Sequence, residues 1–343
     1  MKTTDSRIPW IDSAKFIGIF AIVLGHVLSE GFIKHYLYSF HVPLFFFASG
    51  LTFNVLDKRF IPFIKRRFES LMIPFYIFSI ISVAIFFVIE KLTPISLSQF
   101  VDSGNIKESF LEILMGYCNA NRPLWFLPCF FTASIIAYVI IKATKNNKHC
   151  IIATIVFFII LQYLNNTFLH ISILPFKLET VITLLPFLMI GYLLKPLAQK
   201  LLGTKFKYHK LIYISISILL LLAGGLLGIY NKEAGYLGNY YGNTFIFYIS
   251  ALLTIFGVCI IGSFIYQIKI MNYIGQHTLP IMLMHKFPIE FICILFIKSP
   301  LKDSNFIIAL SITIISIILC CLVELLILKI CPFILGKRKL VMN

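Results

Sequence analysis

The sequence predicts an all-α polytopic membrane protein with about ten transmembrane helices and both termini in the cytoplasm. Three observations carry that expectation. Of the 343 residues, 59% are hydrophobic, and the mean hydropathy is +0.93. Only 13% are charged, against roughly 25% in soluble domains, so a water-soluble core has no room for this much apolar surface. Apolar stretches of near-spanning length recur along the chain, with Lys and Arg gathered in the short segments between them. The 35 Phe and 16 Tyr suit lipid-facing and interfacial positions.

Taken in order, spans are expected at about residues 11–29, 38–56, 70–90, 124–142, 149–168, 178–195, 210–230, 243–264, 275–297 and 304–330. Lys2 and Arg7 resemble the basic start of a signal peptide, but the apolar stretch that follows carries Lys15 and His26 and no A-x-A site. It is therefore read as a retained first helix. An even number of spans puts both termini on one side. With the termini inside, the inner segments hold twenty Lys and Arg and the outer segments eight, which is the positive-inside bias. The inner set includes Lys58, Arg59, Lys65, Arg66 and Arg67 after the second span, and Lys142, Lys145 and Lys148 after the fourth. The connection from about 91 to 123 is long for a helix link. Within it, Ser109 to Tyr117 reads as an interfacial or re-entrant helix. Residues 1–343 are expected to form a single transmembrane domain with no soluble domain appended.

The formal charge of +16 does not indicate nucleic acid, because no soluble basic domain carries it. The eight Cys form no CxxC pair and no Cys/His spacing for zinc, and no metal is expected. Cys118 and Cys129 share the expected outer side, but a disulfide between them is not expected.

The polar residues inside the spans are the candidates for chemistry. Lys15 and His26 are eleven residues apart, three helical turns plus about 20°, so they share a face about 16 Å apart along the axis. Ionisable groups at such depths mark a pathway or an active site. Asp12 and Lys15 are spaced i, i+3 and can pair, or both snorkel to the inner interface. The second span opens with Tyr38-Ser-Phe-His41-Val-Pro43, and the short first loop allows His26 and His41 to share a cavity. Ser49-Gly50 permits close helix packing. The ninth span contains His285, Lys286 and Glu290, the last two spaced for an ion pair, with Pro280 and Pro288 to kink it. The basic stretch Asp57 to Arg67 is read as a loop. It anchors to anionic headgroups or clamps a polyphosphate through Arg forks. One reading joins these parts: a donor held by its phosphates inside, and a histidine that deprotonates an acceptor hydroxyl as it attacks a thioester.

Four groups of residues carry a resemblance. They are Ile11-Asp12 with Lys15, ten intervening residues and His26; Phe40-His41-Val-Pro43-Leu-Phe-Phe-Phe-Ala-Ser49-Gly50; Lys65-Arg66-Arg67 ahead of Leu71-Met-Ile-Pro74-Phe75; and Pro123-Leu124-Trp125-Phe126-Leu127 with the later Gly275-x-x-Thr278-Leu-Pro-Ile-Met-Leu-Met-His285. Together they resemble the acyltransferase 3 family of integral-membrane acyltransferases, especially its fucose 4-O-acetylase-like sugar O-acetyltransferases. The resemblance implies about ten helices, acetyl-CoA or another acyl-CoA from the cytosol as donor, no metal, and a cell-surface or lipid-linked carbohydrate as acceptor, in the inner or plasma membrane. It also implies the site residues: His26 as catalytic base, with Asp12 and His285 beside it in the catalytic set; Lys15, Lys65, Arg66 and Arg67 on the CoA; and His41, Trp125 and Glu290 at the acceptor. Lys15 stands where Arg is commoner, so a bidentate phosphate contact is lost there. Partners are then acyl-CoA, the glycan and membrane lipid, not nucleic acid, and a homo-oligomer is compatible with such a chain.

The main rival is a transporter or flippase for a lipid-linked glycan. Such proteins show internal repeats with broken helices, which this sequence lacks. A structural or sensory subunit would leave the intramembrane Lys15, His26, His285 and Glu290 without a role.

Overall fold

The computed structural model describes residues 8–92, 106–204, 210–232, 234–293 and 305–337. Lys2, Arg7, Lys205, Lys207, Lys298, Lys302, Arg338 and Lys339 of the charge count, and the last residues of the ninth expected span, lie outside them. The described chain is helical: α1 (Pro9–Val27), α2 (Phe32–Thr52), α3 (Phe60–Arg67), α4 (Ile73–Leu92), α5 (Ile106–Leu114), α6 (Phe126–Ala143), α7 (Lys148–Leu164), α8 (Leu178–Thr204), α9 (Lys210–Asn231), α10 (Thr244–Ile265), α11 (Lys269–Gln276), α12 (Thr278–Met284), α13 (Lys286–Ile292) and α14 (Phe306–Ile330). Among the described residues, eight helical stretches are long and apolar enough to cross a bilayer, against the ten crossings expected; α2 and the run α11–α13 are not among the eight. The protein is an all-α polytopic membrane protein.

Two local expectations are corrected. The basic run after α2 is a helix, α3, rather than a loop. Pro62 falls in its first turn, where a missing N–H costs nothing, and a π-turn at Phe68–Met72 joins it to α4. The ninth span is not one helix but three. Pro280 and Pro288 remove the N–H groups that would bond back four residues, and the chain breaks at His277 and His285. The bond that follows each break is long, with Ile281 N 3.5 Å from His277 O and Ile289 N 3.4 Å from His285 O.

The α2 segment is buried on every side, from Ser39 to Ala48 without interruption, as expected of a helix at the centre of a bundle. It crosses α8 at Gly50 and Gly191, where a Cβ on either glycine would run into the backbone of the other helix. The small residues at this crossing serve packing, as their sequence suggests. Lipid-facing rows of Ile, Leu and Phe remain on α7, α9 and α14.

Hydrogen bonds define two ends. At the basic end, Tyr138 Oη donates to Lys58 O at 2.7 Å, Lys142 Nζ donates to Leu56 O, and Tyr192 Oη donates to Asn146 Oδ1 at 2.8 Å. At the opposite end the α9–α10 loop is folded back by Gly235 and Tyr240, which exchange bonds of 2.6 and 3.1 Å. Asn231 and Asn166 hold it by donating to Tyr241 O and Gly242 O.

Candidate active site

The last turn of α1 carries His26, and α2 brings Tyr38 and His41 opposite it. The break between α12 and α13 delivers His285. The His26 and His285 ring centroids are 5.2 Å apart, and Tyr38 stands edge-on to His41 at 4.8 Å. A cavity of about 130 Å³ is lined by His26, His41, Tyr38, Trp125 and Tyr236, with Ile22, Val42, Phe126 and Met282 as its apolar surface. That is room for about four water molecules at ~30 Å³ each. His41 is 3% exposed and His285 0%, whereas His26 is surface-accessible.

Helix backbone fixes two of the three imidazoles. His41 Nδ1 lies 2.6 Å from Leu37 O, and His285 Nδ1 lies 2.9 Å from Ile281 O. A carbonyl only accepts, so Nδ1 carries the proton in both rings and each neutral ring keeps its lone pair on Nε2. His285 Nε2 is buried without a hydrogen-bond partner, beside the accessible His26 ring.

Part of the wall opposite α1 comes from a segment that the sequence did not single out. Tyr236 of the α9–α10 loop stacks on Trp125 at 5.7 Å and donates from Oη to Tyr38 O at 2.6 Å. Burial raises its phenol well above the ordinary tyrosine range, so the hydroxyl stays protonated and able to donate. The loop is clamped from below. Thr180 Oγ1 donates to Tyr236 O at 3.2 Å, and Lys177 Nζ donates to Leu237 O at 3.1 Å. Lys177 is in turn paired with Glu179 at 2.8 Å, both side chains fully buried. Asn121, also fully buried, donates to Leu283 O at 3.1 Å and to Ser82 Oγ at 3.2 Å, steadying α12 just ahead of His285. Tyr236 and Lys177 had no signal in the sequence beyond a loop rich in Gly, Asn and Tyr. Asn121 had one, its place two residues ahead of the Pro123-Leu124-Trp125-Phe126-Leu127 motif.

At the basic end the three residues of the Lys65–Arg67 run have separate positions. Lys65 and Arg66 are exposed and Arg67 is half-buried. The Arg67 guanidinium lies over the rings of Phe53, Phe63 and Phe130, 5.5 to 5.9 Å from their centroids, within cation–π range. Lys58, Arg59, Arg66 and Arg67 line one hollow of about 560 Å³. Phe130 stacks on Phe126 at 5.4 Å, and Phe126 lines the histidine cavity. One cation–ring contact, Arg67 over Phe130, and one ring-to-ring step, Phe130 to Phe126, therefore connect the basic hollow with the histidine cavity.

The fold thus brings together His26, His41, His285 and Trp125 at one place, and Arg66 and Arg67 at another. Asp12 and Lys15 stand apart from both. They pair at 3.3 Å, and Asp12 is roughly 21 Å from His26 along α1 at ~1.5 Å per residue, so it touches nothing that reacts there. Gly275 of α11 packs directly on Asp12 O, with no space for a side chain. Glu290 pairs with Lys286 at 3.3 Å, as its spacing predicts, and Lys286 also donates to Ala120 O. It lines a different, apolar hollow between α4, α13 and α14. All eight cysteines are free.

Comparison with known proteins gives the family. The acyltransferase domain that defines the acyltransferase 3 family matches residues 8–325, from the first turn of α1 to near the end of α14. No curated protein and no solved structure matches the chain. The chain belongs to the acyltransferase 3 family, and it is a membrane acyltransferase.

Proposed function

We propose that this acyltransferase moves an acetyl group from acetyl-CoA to a hydroxyl of a cell-surface or lipid-linked carbohydrate, with His26 as general base. One observation carries the reading. The only accessible imidazole of three shares its cavity with an aromatic wall, and a line of stacked rings connects that cavity to a strongly basic hollow. By the positive-inside bias the basic end is cytosolic, where acyl-CoA is available. The setting is the inner or plasma membrane. Arg67, Arg66 and their neighbours hold the donor's phosphates, and its thioester arm follows the Phe130–Phe126 track to the cavity.

There a nitrogen of His26 accepts the acceptor's hydroxyl proton as the oxygen attacks the thioester carbonyl carbon. The tetrahedral adduct collapses with cleavage of the C–S bond. The departing CoA thiolate takes the proton back from His26, leaving an ester, CoA thiol and a neutral imidazole. General-base catalysis of this kind contributes about 10²–10⁴-fold. His285 and His41, each with a lone pair on Nε2, accept hydrogen bonds from acceptor hydroxyls or from His26. The stacked faces of Trp125 and Tyr236 form a platform for a sugar ring.

The test is transfer of radiolabelled acetyl from acetyl-CoA into envelope carbohydrate, in membranes containing wild-type protein or His26→Ala. Label that requires both the protein and His26 supports the reading. Label that persists in His26→Ala at near wild-type rate refutes the base assignment, and no label with wild type refutes the donor or the acceptor.

A further inference from the structure

The basic end holds a second hollow, of about 740 Å³, lined by Arg66, Glu69, Ser70, Ile73, Phe333 and Lys337 among others. It shares Arg66 and Ser70 with the hollow of Lys58, Arg59 and Arg67, so Arg66 stands between two adjoining spaces. Lys337 comes from the segment after α14, beyond residue 325 where the family match ends. Its position is built rather than incidental. Lys337 N donates to Pro332 O at 3.2 Å, and Nζ is 2.9 Å from Oε1 of Glu324, which is itself fully buried. The same carboxylate oxygen is 2.6 Å from His277 Nδ1. Gly336 has φ +66°, and a Cβ there would be 2.7 Å from Ser70 Cα. The turn therefore seats Lys337 against the π-turn only because residue 336 is glycine.

A CoA ester carries phosphate at two places, the pyrophosphate that leads to the thioester arm and the 3′-phosphate on the ribose. Arg67 lies at the start of the aromatic track, so the pyrophosphate belongs on its side of Arg66. We propose that the two hollows form one donor groove with two phosphate subsites. Lys58, Arg59 and Arg67 hold the pyrophosphate, Lys337 holds the 3′-phosphate, and Arg66 bridges them. The inference rests on an acyl-CoA donor and adds the subsite that recognises its 3′-phosphate.

The experiment compares acetyl-CoA with acetyl-3′-dephospho-CoA as donors, using the whole protein in nanodiscs of zwitterionic lipid. The wild type is expected to show a KM for acetyl-CoA about tenfold lower, as a charge-assisted phosphate contact supplies. In Lys337→Gln that ratio falls towards one, Lys337→Arg restores it, and Arg59→Gln raises KM for both donors together. A full tenfold ratio in Lys337→Gln, or no ratio in wild type, overturns the proposal. Protection of the wild type from thermal unfolding by adenosine 3′,5′-bisphosphate over AMP, lost in Lys337→Gln and kept in Lys337→Arg, supports it by a readout that needs no turnover. A wild type that neither turns over nor is protected by either donor refutes the acyl-CoA reading itself. If anionic lipid in the nanodiscs raises KM for acetyl-CoA in wild type but not in Lys337→Gln, the second hollow holds a lipid headgroup and the subsite assignment fails.

Discussion

At the residue scale the chemistry depends on which atoms are already committed. His41 and His285 each use Nδ1 on a carbonyl of their own helix, so they enter the cavity with fixed tautomers, while His26 is the accessible ring. Substituting His26 by Ala is expected to lower kcat by about 10²–10⁴-fold while the protein still inserts and elutes as wild type, which single-turnover rates and size exclusion would check. The neighbouring cations are not equivalent. Arg67 lies over three rings and lines the basic hollow, whereas Lys65 is exposed. Arg67→Ala should raise KM for acyl-CoA by about tenfold, and Lys65→Ala by less than about threefold. Equal effects in donor titrations would show that the run acts only as a diffuse charge.

At the element scale, close helix contacts hold the site. Gly191 meets α2 at Phe47 O, about two turns along α2 from His41. Gly191→Ala should force the two helices apart and cost about 1–3 kcal/mol. A drop in the midpoint of thermal unfolding, with reduced kcat, would register it. The Lys177–Glu179 pair is fully buried under the loop that carries Tyr236. Removing Lys177 leaves an uncompensated carboxylate and should cost about 3–5 kcal/mol. Lys177→Met with Glu179→Gln should recover much of that loss, because no charge is then stranded. The breaks at His277 and His285 follow from Pro280 and Pro288, and His285, still helical in its own φ and ψ, sits at the second junction beside His26.

At the scale of the whole molecule the protein is a bundle with one strongly basic end and a histidine cavity towards the other. The charge bias predicts the orientation, and Cys150 offers a direct reading of it. It is exposed at the start of α7 on the basic end. In a variant retaining only this cysteine, an impermeant maleimide should label it from the cytoplasmic face alone; labelling from outside would invert the topology. The two segments that fall short of the apolar length for a span, α2 and α11–α13, bring His41 and His285 to the site. One is shielded by burial at the centre. In the other, the polar groups are engaged by neighbours: Lys286 by Ala120 O and Glu290, and His277 by Glu324.

Composition and hydropathy determined the class, an all-α polytopic membrane protein, because the bilayer constrains segment length and loop charge one segment at a time. The Lys15–His26 and Phe40–Gly50 motifs likewise marked α1 and α2, which carry His26 and His41, since spacing along a helix is local. What converges was decided only by tertiary packing. No periodicity shows that Tyr236, from a polar loop nearly two hundred residues further on, donates to Tyr38 O, or that Lys337 faces the same groove as Arg66. The same packing left Asp12 at the far end of α1 and Glu290 on another hollow. Sequence spacing fixes which face of a helix a residue takes, whereas its neighbours across the bundle depend on helix crossings such as Gly50 with Gly191, which are three-dimensional facts.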